Sequence, residues 1–364
     1  FATVAVLCCV PGLALAVSYE APLPAQLSTD PDLCKYVPCK DVMPGADSFS
    51  LRMGKPAYVE AYRSTSDDHE ENGANDAKER PGEKKGRKLI GYVFLSTDVV
   101  DIPAYSGKPV VTLIGMDTKG IITGVRVLKH SEPILLVGIP ESELTRFVKQ
   151  YLGKFVGAKI EVGSARPGEG AIGVDAISGA TVTVIAENQV ILRSGLEIAK
   201  QVGIIKPTIR PQAKFKDVPG TLDWQSLLEE GSVRELQVKP EELGLEPNGQ
   251  PYIDIFFGYL NDPTIGRSVL GEHGYAALMS KLKPDEHAIF LIANGTGSFK
   301  GSGFVRGGIY DRVQVSQDMD TFTFRDLDYL NLYGIEAAGA PAYKESAIFI
   351  IHSPAFSAAY PWSL

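Results

Sequence analysis

The sequence predicts an α+β protein built from two units, and three observations carry that expectation. Short apolar runs with strand character recur in both halves of the chain, bounded by turn residues. Two stretches in the first half have helical periodicity instead: Leu144, Phe147, Val148, Tyr151 and Leu152 share one face of the first, and Val184, Ile185, Asn188, Ile191, Leu192 and Ile198 mark the second. Between the halves lies "KPTIRPQAKFKDVPGT" (206–221), proline-rich and basic like a linker, after which strands and helices alternate afresh. A chain of 364 residues is long enough for two such domains.

The elements follow in order. The opening run "FATVAVLCCVPGLALAVS" reads as the apolar core and small-residue cleavage site of a secretory signal, residues 1–16, whose basic start lies outside this sequence. A membrane-spanning helix is the rival reading, but Pro11 interrupts a run that would need about 20 apolar residues. Residues 17–55 form an N-terminal extension holding Cys34 and Cys39, which in an oxidising compartment are expected to pair as a local disulfide. The first domain is expected over 56–205, starting with a strand at "PAYVEAYR". Its interruption, "STSDDHEENGANDAKERPGEKKGRK" (64–88), has too few apolar residues to offset ordering entropy and is expected to be a disordered loop.

Strands are expected over 89–100, 108–117 and 120–131, with "DTKG" turning the last two into a hairpin. The first helix lies in "PESELTRFVKQYLGKF", followed by a short strand "AKIEVG" and a loop "ARPGEGAIGVDAISGA". The second helix then runs to about Gly203. In the second domain, 222–364, an amphipathic segment is expected at "DWQSLLEEG" and a helix around "GEHGYAALMSKL". Strands are expected at "PYIDIFFGYL", "HAIFLIANG", "GFVRGGIYDRVQVSQ", "TFTFRD" and "SAIFIIHS". "GTGSFKGSG" (295–303) is not a P-loop, because it lacks the Gly-Lys-Ser/Thr ending and precedes a β-like run; it reads as a glycine-rich hairpin turn.

Composition narrows the functional classes. A net charge of -8 and a pI near 5.3 argue against a nucleic-acid partner, which needs a basic face. The five histidines are scattered without metal-ligand spacing, and no nucleophile–base pair stands out, so a stand-alone catalytic activity is not expected. The chemistry concentrates in "DAISGATVT", Asp175 to Thr183. Gly179 permits a sharp turn, and Thr181 and Thr183 stand at the first turn of the second helix, where free N–H groups favour an anion. The same hydroxyls could equally cap the helix, as Ser178 or Thr181 would do routinely.

The D-x-x-S-G-A-T pattern followed by V-T resembles the flavinylation motif of bacterial FMN-binding domains. That resemblance implies FMN joined through its phosphate to Thr181 by a flavin transferase, with Thr183 as the alternative acceptor. It also implies an antiparallel sheet with packed helices. The stretch "GYVFLSTDVVDIPAYSGKPVVTLIGMDTKGIITGVRVLKHSEPILLVGIPES" and the end "SAIFIIHSPAFSAAYPWSL" resemble the NosR/NirI family of regulators and electron donors of denitrification reductases.

By this resemblance Asp175 belongs to the transferase's recognition motif, and Ser178, Gly179, Ala180 and Thr183 lie against the phosphate and ribityl chain. His130, Ser131 and Glu132 approach the flavin from one loop and Tyr105, Ser106 and Gly107 from another. The implied setting is the periplasm, anchored to the inner membrane by later helices. Fe–S clusters would sit only in that later part, since two cysteines after the leader cannot ligate one. The implied partner is nitrous oxide reductase or its maturation factors, with a role in its expression. Nitrite reductase is the alternative partner, and a flavin-free sensing module or a small-molecule flavin reductase the alternative classes.

Overall fold

The computed structural model describes residues 22–65, 86–163, 170–207, 210–300, 309–318 and 320–364. The expected leader, most of the charged interruption and the end of the glycine-rich stretch lie outside them. The described residues form an α+β fold of antiparallel sheets and packed helices.

The first sheet is an antiparallel meander of β1 (Ser48–Phe49), β2 (Val59–Ser64), β3 (Arg87–Leu95), β4 (Val111–Asp117) and β5 (Ile122–Lys129). β3 reads as an unbroken apolar run because both its faces are covered. Tyr92 and Phe94 point to one core with Ile114, Met116 and Ile122, whereas Val93 and Leu95 point to another with Val59, Ala61 and Leu113. The β4–β5 hairpin turns where "DTKG" predicts. Asp117 accepts from the N–H groups of Lys119 and Ile121, and Gly120 takes φ +85°.

The N-terminal segment closes one face of this sheet. Leu27, Leu33, Val37, Val42 and Met43 pack on it around α1 (Cys39–Val42), beside the Cys34–Cys39 disulfide. Gly115 and Gly124 pair across β4 and β5, and their missing Cβ atoms leave the slot that α1 fills. A Cβ at Gly115 would stand 2.0 Å from the Val42 carbonyl oxygen, and one at Gly124 2.4 Å from the Val42 Cα. Thr123 donates to that same carbonyl at 2.6 Å.

The other face carries helices. After α2 (Ser96–Val99) and α3 (Pro133–Val137) comes α4 (Glu141–Lys149), which buries Leu144, Phe147 and Val148. Past the end of α4, Tyr151 is fully buried as expected, whereas Leu152 is 47% exposed, against the sequence expectation. β6 (Ile160–Val162) and β7 (Ile172–Val174) pair in parallel, so part of the stretch expected as loop is strand. α5 (Thr181–Gln201) crosses the sheet with Val184, Ile191 and Ile198 fully buried. Ser96 also departs from expectation. Its hydroxyl accepts from Thr112 N–H at 2.9 Å and donates to Val110 carbonyl at 3.3 Å, and the chain leaves β3 there for the turn of α2.

The second sheet has the order β13 (Tyr329–Leu330), β14 (Glu345–His352), β10 (Glu286–Asn294), β9 (Ile253–Tyr259), β8 (Val233–Val238), all antiparallel. β10 again alternates between two cores. Ala288, Phe290 and Ile292 meet α6 (Trp224–Glu229) and α7 (Pro263–Met279), and Ile289, Leu291 and Ala293 meet the hairpin of β11 (Ile309–Gln317) and β12 (Asp320–Arg325). α7 is broken at Gly271, which takes φ +71°; the part after it is the helix expected around 271–282, and the part before it, capped by Asp262 through the N–H groups of Thr264 and Ile265, is additional. β10 pairs with β9 and β14 while β11 pairs with β12; the end of the glycine-rich stretch, expected as a hairpin turn, lies outside the described residues.

Ile309 of β11 packs with Ala186 and Val190 of α5, and Lys200 of α5 meets Asp320 of β12 at 2.8 Å. Arg210, in the linker-like stretch, is almost fully buried and bonds Asp320 at 3.0 Å, the Ala355 carbonyl at 2.6 Å and the Gln317 carbonyl at 3.3 Å. Arg210→Met should lower stability by about 2 kcal/mol, because Asp320 keeps Lys200 but buried carbonyls lose a charged donor. Denaturant unfolding of the two chains measures it, and an unchanged midpoint would show that the guanidinium only fills space.

Candidate functional site

The loop before α5 is held from behind. Gln150, just past α4, donates to the Asp175 carbonyl at 3.2 Å and accepts from the Asp175 N–H at 2.8 Å, leaving that residue exposed. Ile177 and Ala180 are buried anchors of the turn, closed by Ala180 N–H to the Ile177 carbonyl at 3.0 Å. Between them Gly179 takes φ +81°, with only Ile139 near its missing Cβ at 3.7 Å. Space would admit a side chain there; the left-handed backbone is what selects glycine.

The helix start has no side-chain cap. Ala180 occupies the capping position, and neither Ser178 nor Thr181 bonds the first-turn N–H groups. Those groups and the helix dipole therefore face outward beside Ser178, Gly179 and Thr181, all exposed. Thr183, two residues on, lies on the opposite side of the helix. It is 1% exposed and donates to Glu132 Oε2.

Glu132 is the hub beneath this mouth. Its fully buried carboxylate also accepts from Tyr105 N–H at 3.2 Å and Ser106 N–H at 3.0 Å. It thereby joins the 104–108 turn, where Gly107 takes φ +74°, to the strap after β5 and the first turn of α5. His130 is buried in the same strap. Its Nδ1 accepts from the Glu132 N–H at 3.3 Å and its Nε2 faces Glu141 Oε1 at 3.2 Å, which assigns the ring proton to Nε2. Ser131 beside it is half-buried.

The structure thus gathers Tyr105, Ser106, His130, Glu132 and Thr183 into one supporting network and presents Ser178, Gly179 and Thr181 at its outer edge. Sequence reading missed the next layer. Glu187, one turn along α5 from Thr183, is fully buried and accepts from Thr112 Oγ1 at 2.7 Å, while its other oxygen has no partner. Burial pushes this carboxyl up to about 8, opposed by the Thr112 hydrogen bond and reinforced by the nearby Glu132 charge. The signal was available: a glutamate stands on the apolar stripe between Val184 and Ile191. Among the described residues no cluster of three metal-ligating side chains occurs.

An exposed hydroxyl on an uncapped helix start, braced by a buried carboxylate, suits a phosphate-bearing cofactor, and residues 105–193 match the FMN-binding domain family. Over 300 residues the chain is 41% identical to the regulatory protein NosR of Pseudomonas aeruginosa, covering 77% of this chain and 42% of that protein. It is likewise 41% identical over 300 residues to NosR of Stutzerimonas stutzeri, covering 77% and 41%, and 27% identical over 287 residues to protein NirI of Paracoccus denitrificans, covering 75% and 40%. The chain is of the NosR/NirI type and spans about two fifths of the length of these relatives.

Proposed function

We propose that this chain is the flavin-bearing electron-transfer part of a NosR-like protein, with FMN joined by a phosphoester to Thr181. The observation that carries the reading is the exposure of Thr181 at an uncapped start of α5 while Thr183 is turned inward onto Glu132. Of the two threonines, only Thr181 offers its hydroxyl to an external flavin transferase. The first-turn N–H groups then face the phosphate. FMN supplies one- and two-electron redox chemistry; the protein sets its position and potential.

The wider setting is part of the same proposal. The leader-like opening and the Cys34–Cys39 disulfide suit the periplasm. The rest of a NosR-like protein would anchor this part at the inner membrane. Among the described residues no helix is long and apolar enough to cross a membrane. The partner is nitrous oxide reductase or its maturation machinery. Identity of 41% to NosR against 27% to NirI favours it over nitrite reductase.

The test is the mass of the Asp175–Arg193 peptide from chain made in a host with a flavin transferase. The parent should carry one FMN and Thr181→Ala none, while Thr183→Val, which loses only the tie to Glu132, still carries the adduct at reduced loading. A parent peptide without added mass would sink the flavoprotein reading, and an adduct surviving in Thr181→Ala would move the acceptor.

A further inference from the structure

A cavity of about 700 Å³ lies between the two units, walled by β6 and α5 on one side and by β11, β12 and the tail at Trp362 on the other. None of its lining residues belongs to the helix start at Thr181, so it is separate from the flavin attachment. Its size falls within the range of small-molecule sites. The wall is mixed: Ile160, Leu192 and Leu196 are apolar, and Lys159, Glu161, Arg193 and Asp318 carry charge. Three of those charges are matched. Lys159 faces Glu161 at 3.7 Å, and Asp318 faces Arg210 at 3.4 Å.

Arg193 is the exception. It is half-buried on α5, and among the described residues it makes no hydrogen bond and no ion pair. None of its nitrogens is sealed from water, so its donors face open space and not a closed core. Burial pushes the guanidinium below the usual arginine range; Glu197 and Asp320 pull it back up, and Arg325 opposes them. Both carboxylates act from beyond ion-pair distance, and Asp320 is already held by Lys200 and Arg210. Desolvation therefore outweighs attraction and leaves a cation short of counter-charge. Arg193 also lines a smaller cavity of about 130 Å³, but Asp101 and Asp328 line it too and repel an anion there. In the larger cavity each lining carboxylate has its own cation.

The opposite wall supplies further donors. Ser316 and Thr321 are partners in register, so their side chains share one face of the β11–β12 hairpin, and both line the cavity. Asn188 adds an amide: the Tyr151 hydroxyl donates to its Oδ1 at 2.7 Å, which leaves its NH2 group to donate. We infer that this cavity binds a small organic oxyanion, its carboxylate or phosphate on Arg193, Ser316 and Thr321 and its apolar body against Leu192 and Leu196. The guanidinium fork suits either head group. Since the walls come from both units, the occupant ties one to the other.

The probe is anilinonaphthalene sulfonate, an aromatic body with an anionic head, and its control is phenylnaphthylamine, the same body without the charge. Calorimetric titration of the full chain, made in a host with a flavin transferase, should show one sulfonate bound per chain. Arg193→Met should weaken it about tenfold or more, through the lost charge-assisted hydrogen bonds, and leave phenylnaphthylamine unchanged. Arg193→Lys and Ser316→Ala are smaller changes and should each weaken the sulfonate severalfold, again with phenylnaphthylamine unchanged; they carry the test if Arg193→Met does not fold. Benzoate and phenyl phosphate should displace the sulfonate, the stronger competitor naming the head group. Equal sulfonate affinity in the parent and the Arg193 variants would overturn the inference. So would loss of both probes together in folded variants, or displacement by neither competitor.

Discussion

Glu132→Ala is expected to cost about 4 kcal/mol of stability, among the largest effects of any single substitution in the first unit. Three donors converge on this carboxylate: the N–H groups of Tyr105 and Ser106 and the hydroxyl of Thr183. Glu132 itself is fully buried, so truncation leaves these donors facing a void that water reaches poorly. Glu132→Gln should cost less, because one amide oxygen still accepts while the amide NH2 opposes the remaining donors. Flavin loading should fall along with stability in both variants, since the first turn of α5 loses its tie to the strap and the 104–108 turn. Denaturant unfolding and adduct mass together check this. A stable Glu132→Ala chain with full loading would show that packing alone holds the mouth.

How much of this was legible beforehand depends on the range of the forces involved. β3 and β10 announce themselves because both faces are buried, and "DTKG" because its turn is closed by its own Asp117. α5 is legible from its period and from Gly179. The three-residue strands β6 and β7 are not, since neither is long enough to show a pattern before its partner is known. The end of β3 was overrun because Val99 and Val100 favour a strand, while Ser96 is captured by Thr112, sixteen residues away.

The site divides the same way. Sequence places Thr181 and Thr183 together at one helix start, and nothing local separates them. What turns Thr183 inward is Glu132, fifty-one residues earlier in the chain. The possibility that the hydroxyls merely cap α5 was the simpler expectation on local grounds. It fails because Ala180 takes the capping position. Glu187 went unnoticed because a lone glutamate on an apolar stripe looks like an edge residue until Thr112 of β4 is seen against it.

Glu187 also sets the pH response of the fold. In the folded chain its carboxyl sits at about 8 against an ordinary 4.5, because burial penalises the charged form. The sign follows from linkage: a raised acid prefers to be protonated when folded, so it costs nothing below about pH 4.5. The cost then grows as pH rises towards 8 and is constant above it, with a ceiling on the order of 5 kcal/mol. Glu187→Gln keeps an oxygen to accept from Thr112 and cannot ionise. It should match the parent within about 1 kcal/mol at pH 5 and exceed it by a few kcal/mol at pH 9. Unfolding free energies of both chains at the two pH values decide the matter. Curves that stay parallel would mean that the folded chain holds Glu187 ionised, with its charge offset by contacts other than Thr112. A widening gap would identify the proton on this carboxyl as part of what keeps α5 seated on the sheet, one turn below the threonine that fixes the helix start to Glu132.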